Sequence, residues 1–229
     1  MKHELESELE RGRVVVSLLV LTMVTGVVDA VSYLGLGRVL AGNMTGNVLF
    51  LAFAFAGASG LSAERPLFSL VGFLAGAMAG GRIHAALSAG GRRRWIRTAV
   101  LLEAALLFGA AFTSMGVSVG PDPERLRVLT VIVFLASAMG LRNATIGQLN
   151  LRDLTTTVLT TTLAALAADS SLAGRDNFRI GRRVASVICM FGGAVAGTLL
   201  LRFGLTVPLA LSGTAVLATG WSMAASMKD

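Results

Sequence analysis

A series of long apolar segments, joined by short polar loops, constrains this chain more than any other feature. A helix that crosses a bilayer needs about 20 mostly apolar residues, and the stretches 39–63 and 203–227 contain no charged residue. The 229-residue chain is 54% hydrophobic and 14% charged, which is too apolar for a soluble domain of this size. We therefore expect an all-α integral membrane protein with one polytopic domain over 1–229. The apolar segments fall near 14–36, 43–60, 67–88, 98–118, 126–148, 154–169, 184–203 and 206–225.

Positive charge indicates how these segments cross the membrane. The net charge of +7 fits an excess of arginine in cytoplasmic loops, so no nucleic-acid partner is expected. Two clusters dominate, and the rule places both on the cytoplasmic side. Three apolar segments separate them, so one of the three does not span, and the short, Thr-rich segment 154–169 is the best candidate for a re-entrant half-helix. The clusters are Arg92, Arg93, Arg94 and Arg97, and then Arg175, Arg179, Arg182 and Arg183.

The two halves of the chain are expected to be related. By symmetry, 43–60 should enter and leave at the opposite face. The predicted architecture is about six spanning helices plus two re-entrant half-helices, in an inverted 3+3 repeat with both termini cytoplasmic. The pseudo-repeats cover about 14–118 and 126–225. The alternative is seven or eight full spans with parallel repeats, which would put one arginine cluster outside.

A polar motif occurs twice in this apolar sequence. It runs from Gly26 to Asn47 (GVVDAVSYLGLGRVLAGNMTGN) and again from Gly140 to Thr157 (GLRNATIGQLNLRDLTTT). Both copies read Gly-x-x-[Asp/Asn]-Ala, then a short gap, then [Met/Leu]-Thr-x-[Asn/Thr]-Val-Leu. Inverted repeats with discontinuous helices are a recurring architecture of transporters.

Two small-residue faces follow the motifs in the same order. They are Gly76/Gly80 and Gly193/Gly197, and such spacing lets helices approach closely. These faces are also the predicted contacts of a homo-oligomer.

The N-termini of the two half-helices predict a mid-membrane site. Asn43 is a good N-cap for a helix that starts at Met44, and Asp153 has the same place before Leu154. Helix N-termini offer backbone N–H groups and the positive end of the dipole, which favours anionic or hydrogen-bond-accepting solutes. The alternative for the threonines is bonding to their own helix backbone. The candidate site residues are Asp29, Asn43, Thr45, Asn47, Asn143, Thr155, Thr156 and Thr157.

Asp29 and Glu103 are the two acids deep in apolar segments, where an unpaired carboxylate is expensive. Three roles stay open for Asp29: an ion pair with Arg142, a titrating carboxylate that couples transport to protons or cations, or a hydrated residue near the interface. For Glu103 the alternatives are a second coupling carboxylate and an interfacial residue reached by Arg97.

The first motif resembles a known signature. G-x-x-D-A-x-S-Y-L at 26–34 and A-G-N-M-T-G-N-V at 41–48 are similar to the YoaK-like bacterial membrane proteins (domain of unknown function 1275), a family of unknown function. The stretch at 140–144 and the Thr-rich segment 154–162 resemble its second half, although Thr161-Thr162 stands where the family often has Thr-Gly. The resemblance covers nearly the whole chain and implies a multi-pass protein of the bacterial inner membrane.

These observations predict a small-solute transporter or channel, with a non-transporting assembly or sensory protein as the alternative. The sequence contains no metal-ligand spacing, no Gly-x-Ser-x-Gly elbow and no Walker loop. We therefore expect no enzyme activity, no cofactor and no metal site. The expected partners are the lipid bilayer and a small polar or anionic solute.

Overall fold

The computed structural model describes residues 2–117, 124–149, 160, 162–164 and 180–226, and these residues form helices, turns and loops without a strand. The predicted half-helix over 154–169 lies outside the described residues except for the four at 160 and 162–164, which are helical. Within the described residues, seven α-helices carry the fold. In chain order they are α1 (Lys2–Gly35), α2 (Met44–Phe55), α3 (Glu64–Leu87), α4 (Arg92–Thr113), α5 (Arg125–Gln148), α6 (Ile180–Leu200) and α7 (Thr206–Ser226).

Five helical stretches in the described part are long and apolar enough to cross a membrane. They are Gly12–Gly35, Glu64–Gly90, Arg92–Thr113, Arg125–Gln148 and Gly181–Phe203. α7, with 21 residues, is not in this group. α2 has 12 residues and is therefore about 18 Å long, short of a hydrocarbon core of about 30 Å. The predicted all-α membrane architecture is confirmed, and the count of six spans stays a prediction.

One end of the helix bundle, which we call the Glu64 end, collects the end of α1 and the starts of α3, α5 and α7. The Arg65 side chain donates to the Gly37 carbonyl just after α1 (3.5 Å). Arg125 at the start of α5 binds Glu64 (Nη2 to Oε1, 2.8 Å). Leu205, which precedes α7, packs against Gly35.

The opposite end, which we call the Arg92 end, collects the ends of α3, α5 and α7 and the starts of α4 and α6. One buried cluster there joins Trp95 and Ile96 at the start of α4 with Leu149 after α5 and Met223 in α7. α6 runs parallel to α1, because Gly193 packs on Met23 and Gly197 on Val27. α6 therefore begins at the Arg92 end, where α5 also ends.

α1, α4, α5 and α7 enclose the main hydrophobic core, and the other helices pack around them. α1 packs on α6 and α7, α5 on α3 and α4, and α4 on α7, while α2 lies against α3. Large apolar side chains fill the centre because each central helix is covered on several sides. Fully buried examples are Leu18, Val28, Leu107, Ile132, Leu135 and Leu209.

Glycines set the closest helix contacts in two interfaces, α3/α5 and α1/α6, which we call the glycine interfaces. A Cβ added to Gly76 would clash with the carbonyl of Ser137, and one added to Gly193 would clash with the carbonyl of Met23. Gly80 and Gly197 are likewise packed against α5 and α1. The small-residue faces predicted to join two copies are thus buried inside one chain, because the helix backbones approach too closely there for any other residue. Self-association itself stays a prediction.

Candidate functional site

Arg142 on α5 is the centre of a buried polar cluster that joins three helices. Its side chain is 2% exposed, and its Nε donates to Glu103 Oε1 on α4 (2.6 Å). Nη2 also contacts that carboxylate. Nη1 donates to the Leu21 carbonyl (2.8 Å) and to Thr25 Oγ1 (2.9 Å), both on α1. Because the two buried charges neutralise each other and the guanidinium is also hydrogen-bonded to α1, this ion pair holds α1, α4 and α5 together.

Asp29 is therefore not the ion-pair partner of Arg142, and that alternative from the sequence is wrong. The reason is depth along the helices, which rise about 1.5 Å per residue. Arg142 reaches α1 at Leu21 and Thr25, whereas Asp29 lies one turn beyond Thr25, toward the Glu64 end of α1. Glu103 is near the middle of α4, so it meets the guanidinium first.

The carboxylate of Asp29 binds the loop that follows α1. Its Oδ1 accepts a hydrogen bond from the backbone N–H of Gly42 (2.7 Å), and Asp29 is 8% exposed. A Cβ on Gly42 would lie 3.2 and 3.3 Å from the two carboxylate oxygens and 3.0 Å from Thr25 Cγ2. Glycine therefore permits the loop to approach α1 closely at this point.

The loop reaches Asp29 by turning back into the bundle. Gly37 (φ +90°) and Arg38 (φ +60°) adopt left-handed backbone conformations, which reverse the chain direction after α1. The N–H of Ala41 then donates to Ser32 Oγ (3.2 Å), one turn before the end of α1. As a result α2 begins about two turns below the Glu64 end, beside Asp29.

Three polar residues at the start of α2 have different surroundings. The helix begins at Met44 as predicted, but the Asn43 side chain forms no cap hydrogen bond, and both Asn43 and Thr45 are exposed. Asn47 is fully buried. Its Oδ1 accepts from Leu40 N (3.0 Å), and its Nδ2 donates to the Leu40 carbonyl and to Ser69 Oγ (2.9 Å). Asn47 thus fixes the loop to α3, whereas Asn43 and Thr45 keep polar groups open at the helix start.

The remaining predicted site residues lie elsewhere. Asn143 is half-buried on α5, near the Arg92 end, so the described structure does not bring it to Asp29. Thr155, Thr156 and Thr157 lie outside the described residues. The sequence reasoning missed Thr25, which lies one turn before Asp29 on the same face of α1, and that i, i+4 spacing was the available signal.

Comparisons with known proteins agree with the membrane architecture. The family model described as "Protein of unknown function (DUF1275)" matches residues 17–222. The chain belongs to this family. It is also 33% identical over 168 residues to the UPF0700 transmembrane protein YoaK of Bacillus subtilis (strain 168), covering 71% of this chain and 68% of that protein. No solved structure matches. The predicted family resemblance is confirmed, and the matched range contains Asp29, the start of α2 and Arg142.

The chemistry that this family member offers at the site is hydrogen bonding and charge. Among the residues described, no group of three or more His, Cys, Asp and Glu side chains could hold a metal ion. Near the start of α2 stand one carboxylate, one amide and one hydroxyl, from Asp29, Asn43 and Thr45. The backbone N–H groups of the first turn of α2 add further donors, since the first four N–H groups of a helix have no partner within it.

Proposed function

We propose that this protein is a transporter or channel for a small polar or anionic solute, which binds at the start of α2 beside Asp29. One observation carries the proposal: α2 begins beside Asp29, to which the preceding Gly42 is hydrogen-bonded, about two turns below the Glu64 end instead of at that end. In membrane transporters, half-helices whose N-termini point into the protein form the solute site. A protein that only anchors or assembles has no need of such an interrupted helix.

The same geometry supports a re-entrant course for 36–63. The loop enters from the Glu64 end, and α2 starts about 9 Å below that end. After α2, Gly60 lies beside the Arg38 side chain, and α3 then begins at Glu64. The segment would therefore enter and leave at one end of the bundle, which is the course of a re-entrant half-helix.

The two glycine interfaces support an inverted repeat. An offset of 114 residues relates Met23, Gly26 and Val27 to Ser137, Gly140 and Leu141, and an offset of 117 residues relates Gly76 and Gly80 to Gly193 and Gly197. In each interface, the first helix of one half packs against the third helix of the other half: α1 against α6, and α5 against α3. α1 and α5 run in opposite directions, so a two-fold axis in the membrane plane is the relation that fits.

Charge at the site favours proton coupling through Asp29. Arg142 and Glu103 neutralise each other, so Asp29 carries the net charge of the cluster. An anionic solute at the start of α2 would repel an ionised Asp29, and its binding would therefore favour the protonated carboxyl. Solute and proton would then bind together and move together.

Flux through reconstituted protein tests the proposal. The full chain in liposomes would be challenged with urea, glycerol, nitrate and phosphate, with swelling followed by light scattering. We expect at least one solute to enter faster than into protein-free liposomes. The matched pair is Thr45→Cys and Ser62→Cys, each in a Cys189→Ser background. A bulky thiol reagent should block flux only through Thr45→Cys, and unchanged flux after complete labelling of both variants would contradict the site.

The alternative is a non-transporting membrane assembly or sensory protein. The hydrogen bonds of Asn47, Ser69 and Ser32 favour it, because they show that part of the polar motif stabilises the fold. It predicts that no solute in the panel crosses faster than through protein-free liposomes, although the reconstituted protein is folded.

A further inference from the structure

The structure assigns a second site, independent of the proposed solute path: a groove at the Arg92 end that binds the phosphate of an anionic phospholipid. The groove has a volume of about 310 Å³. Its lining is basic at one end and apolar at the other. The lining residues are Gly90, Arg93, Arg94, Arg97, Thr98 and Leu101.

The arginines of this groove have no counter-charge among the described residues. The first six residues of α4 are RRRWIR, with no acidic residue in the first turn. Within the described part of the chain, no carboxylate pairs with Arg93, Arg94 or Arg97, and Arg93 Nε is buried without a hydrogen-bond partner. The positive end of the helix dipole adds to their repulsion. An anion in the groove would relieve both effects, and guanidinium groups bind phosphate oxygens in a bidentate fashion.

The position of the groove favours a lipid over a soluble anion. Arg97 stacks on Trp221 (5.1 Å from Cζ to the ring centre), and Trp221 is 70% exposed, as expected for a tryptophan at headgroup level. One turn deeper along α4, Leu101 is 62% exposed. The groove therefore leads from guanidinium groups to an apolar helix face. A free phosphate would use only the first part, whereas a phospholipid would use both through its headgroup and an acyl chain.

Trp221 provides a built-in reporter for this site. The purified full-length protein would be titrated with phospholipids brominated on the acyl chain, which quench a nearby tryptophan. We expect phosphatidylglycerol to quench at a lower mole fraction than phosphatidylcholine, and Trp221→Phe to remove most of this quenching, because the other tryptophan, Trp95, is buried. Equal quenching by the two lipids would overturn the proposal.

Arg92 provides a matched control, since it is exposed on the same helical turn but does not line the groove. Arg94→Gln should reduce the preference for phosphatidylglycerol about fivefold, as expected for one basic residue at an anionic surface. Arg92→Gln should change the preference less than about twofold, because Arg92 contributes only long-range electrostatic attraction to the anionic lipid surface. Equal losses in the two variants would mean diffuse attraction and no groove site.

Inorganic phosphate distinguishes the two sources of the anion. At equal ionic strength, phosphate and chloride should reduce the quenching by phosphatidylglycerol to the same small extent. Complete displacement by phosphate alone would overturn the lipid assignment, because it would show a site for the free anion.

Discussion

The two glycine interfaces are alike in backbone and different in polar chemistry. α1/α6 and α3/α5 bring helices into contact through glycines at matched positions. At the next positions, however, α1 carries Val28 and Asp29, whereas α5 carries Arg142 and Asn143. The packing is thus repeated and the charge is not. Arg142 is paired with Glu103, whereas the Asp29 carboxylate accepts a hydrogen bond from the Gly42 N–H. In the proposed function, Asp29 is therefore the carboxylate available for coupling.

The largest expected effect comes from breaking the buried ion pair. Glu103→Leu or Arg142→Met alone should lower the free energy of unfolding by about 3–5 kcal/mol, because each leaves an uncompensated buried charge. The double variant should recover most of that loss. Unfolding in detergent with a denaturant titration measures all three. Single variants as stable as the wild type would show that the Arg142–Glu103 pair is hydrated. The contrast between a buried, paired Arg142 and Asp29 would then be lost.

Alanine substitutions compare the two interfaces directly. Gly76→Ala and Gly193→Ala should each lower the free energy of unfolding by about 1–3 kcal/mol, because the added methyl forces the helices apart. Gly81 and Gly192 are the controls, since a Cβ there meets no atom within 4 Å, and alanine should leave stability equal or slightly higher. The same unfolding measurement applies. A cost at only one of the two interfaces would contradict their equivalence.

Two asparagines separate structure from function at the start of α2. Asn47→Ala should cost about 1–3 kcal/mol, because it leaves buried partners on the loop and on Ser69 unsatisfied. Asn43→Ala should cost well under 1 kcal/mol, about the size expected for an exposed position, yet lower solute flux. Thermal unfolding and liposome flux measured on both variants test this. A larger loss of stability in Asn43→Ala than in Asn47→Ala would contradict the assignment of Asn47 to the fold and of Asn43 to the solute site.

Asp29→Asn should have a small effect on stability, less than about 1 kcal/mol, because the amide oxygen still accepts the hydrogen bond from Gly42. The expected change is functional: flux should lose its dependence on pH, since the site no longer exchanges a proton. The variant also makes position 29 equal to Asn143. Flux measured from about pH 5.5 to about pH 8 tests this, and a pH profile equal to that of the wild type would contradict the coupling role.

Much of the fold could be predicted because it depends on local pattern. Apolar length placed the helices, and the spacing of Gly76 and Gly193 predicted close helix contacts. The start of α2 at Met44 was predicted, although the Asn43 side chain on which the prediction rested forms no cap hydrogen bond. The pairing of Arg142 could not be read in the same way, since it depends on the direction and depth of three helices. Asn47 was likewise assigned to the solute site because its partner, Ser69, lies on a different helix.

The central claim is that α2 starts inside the membrane and that its segment enters and leaves at one face. Single cysteines at Thr45, Ser62 and Gly91, in a Cys189→Ser background, can be labelled with a small membrane-impermeant thiol reagent from each side of oriented vesicles. We predict that Ser62→Cys reacts fast and Thr45→Cys more slowly from the same side, while Gly91→Cys reacts only from the other. Labelling of Thr45→Cys from the side of Gly91, with Ser62→Cys on the opposite side, would mean that 43–60 spans the membrane and would contradict the account.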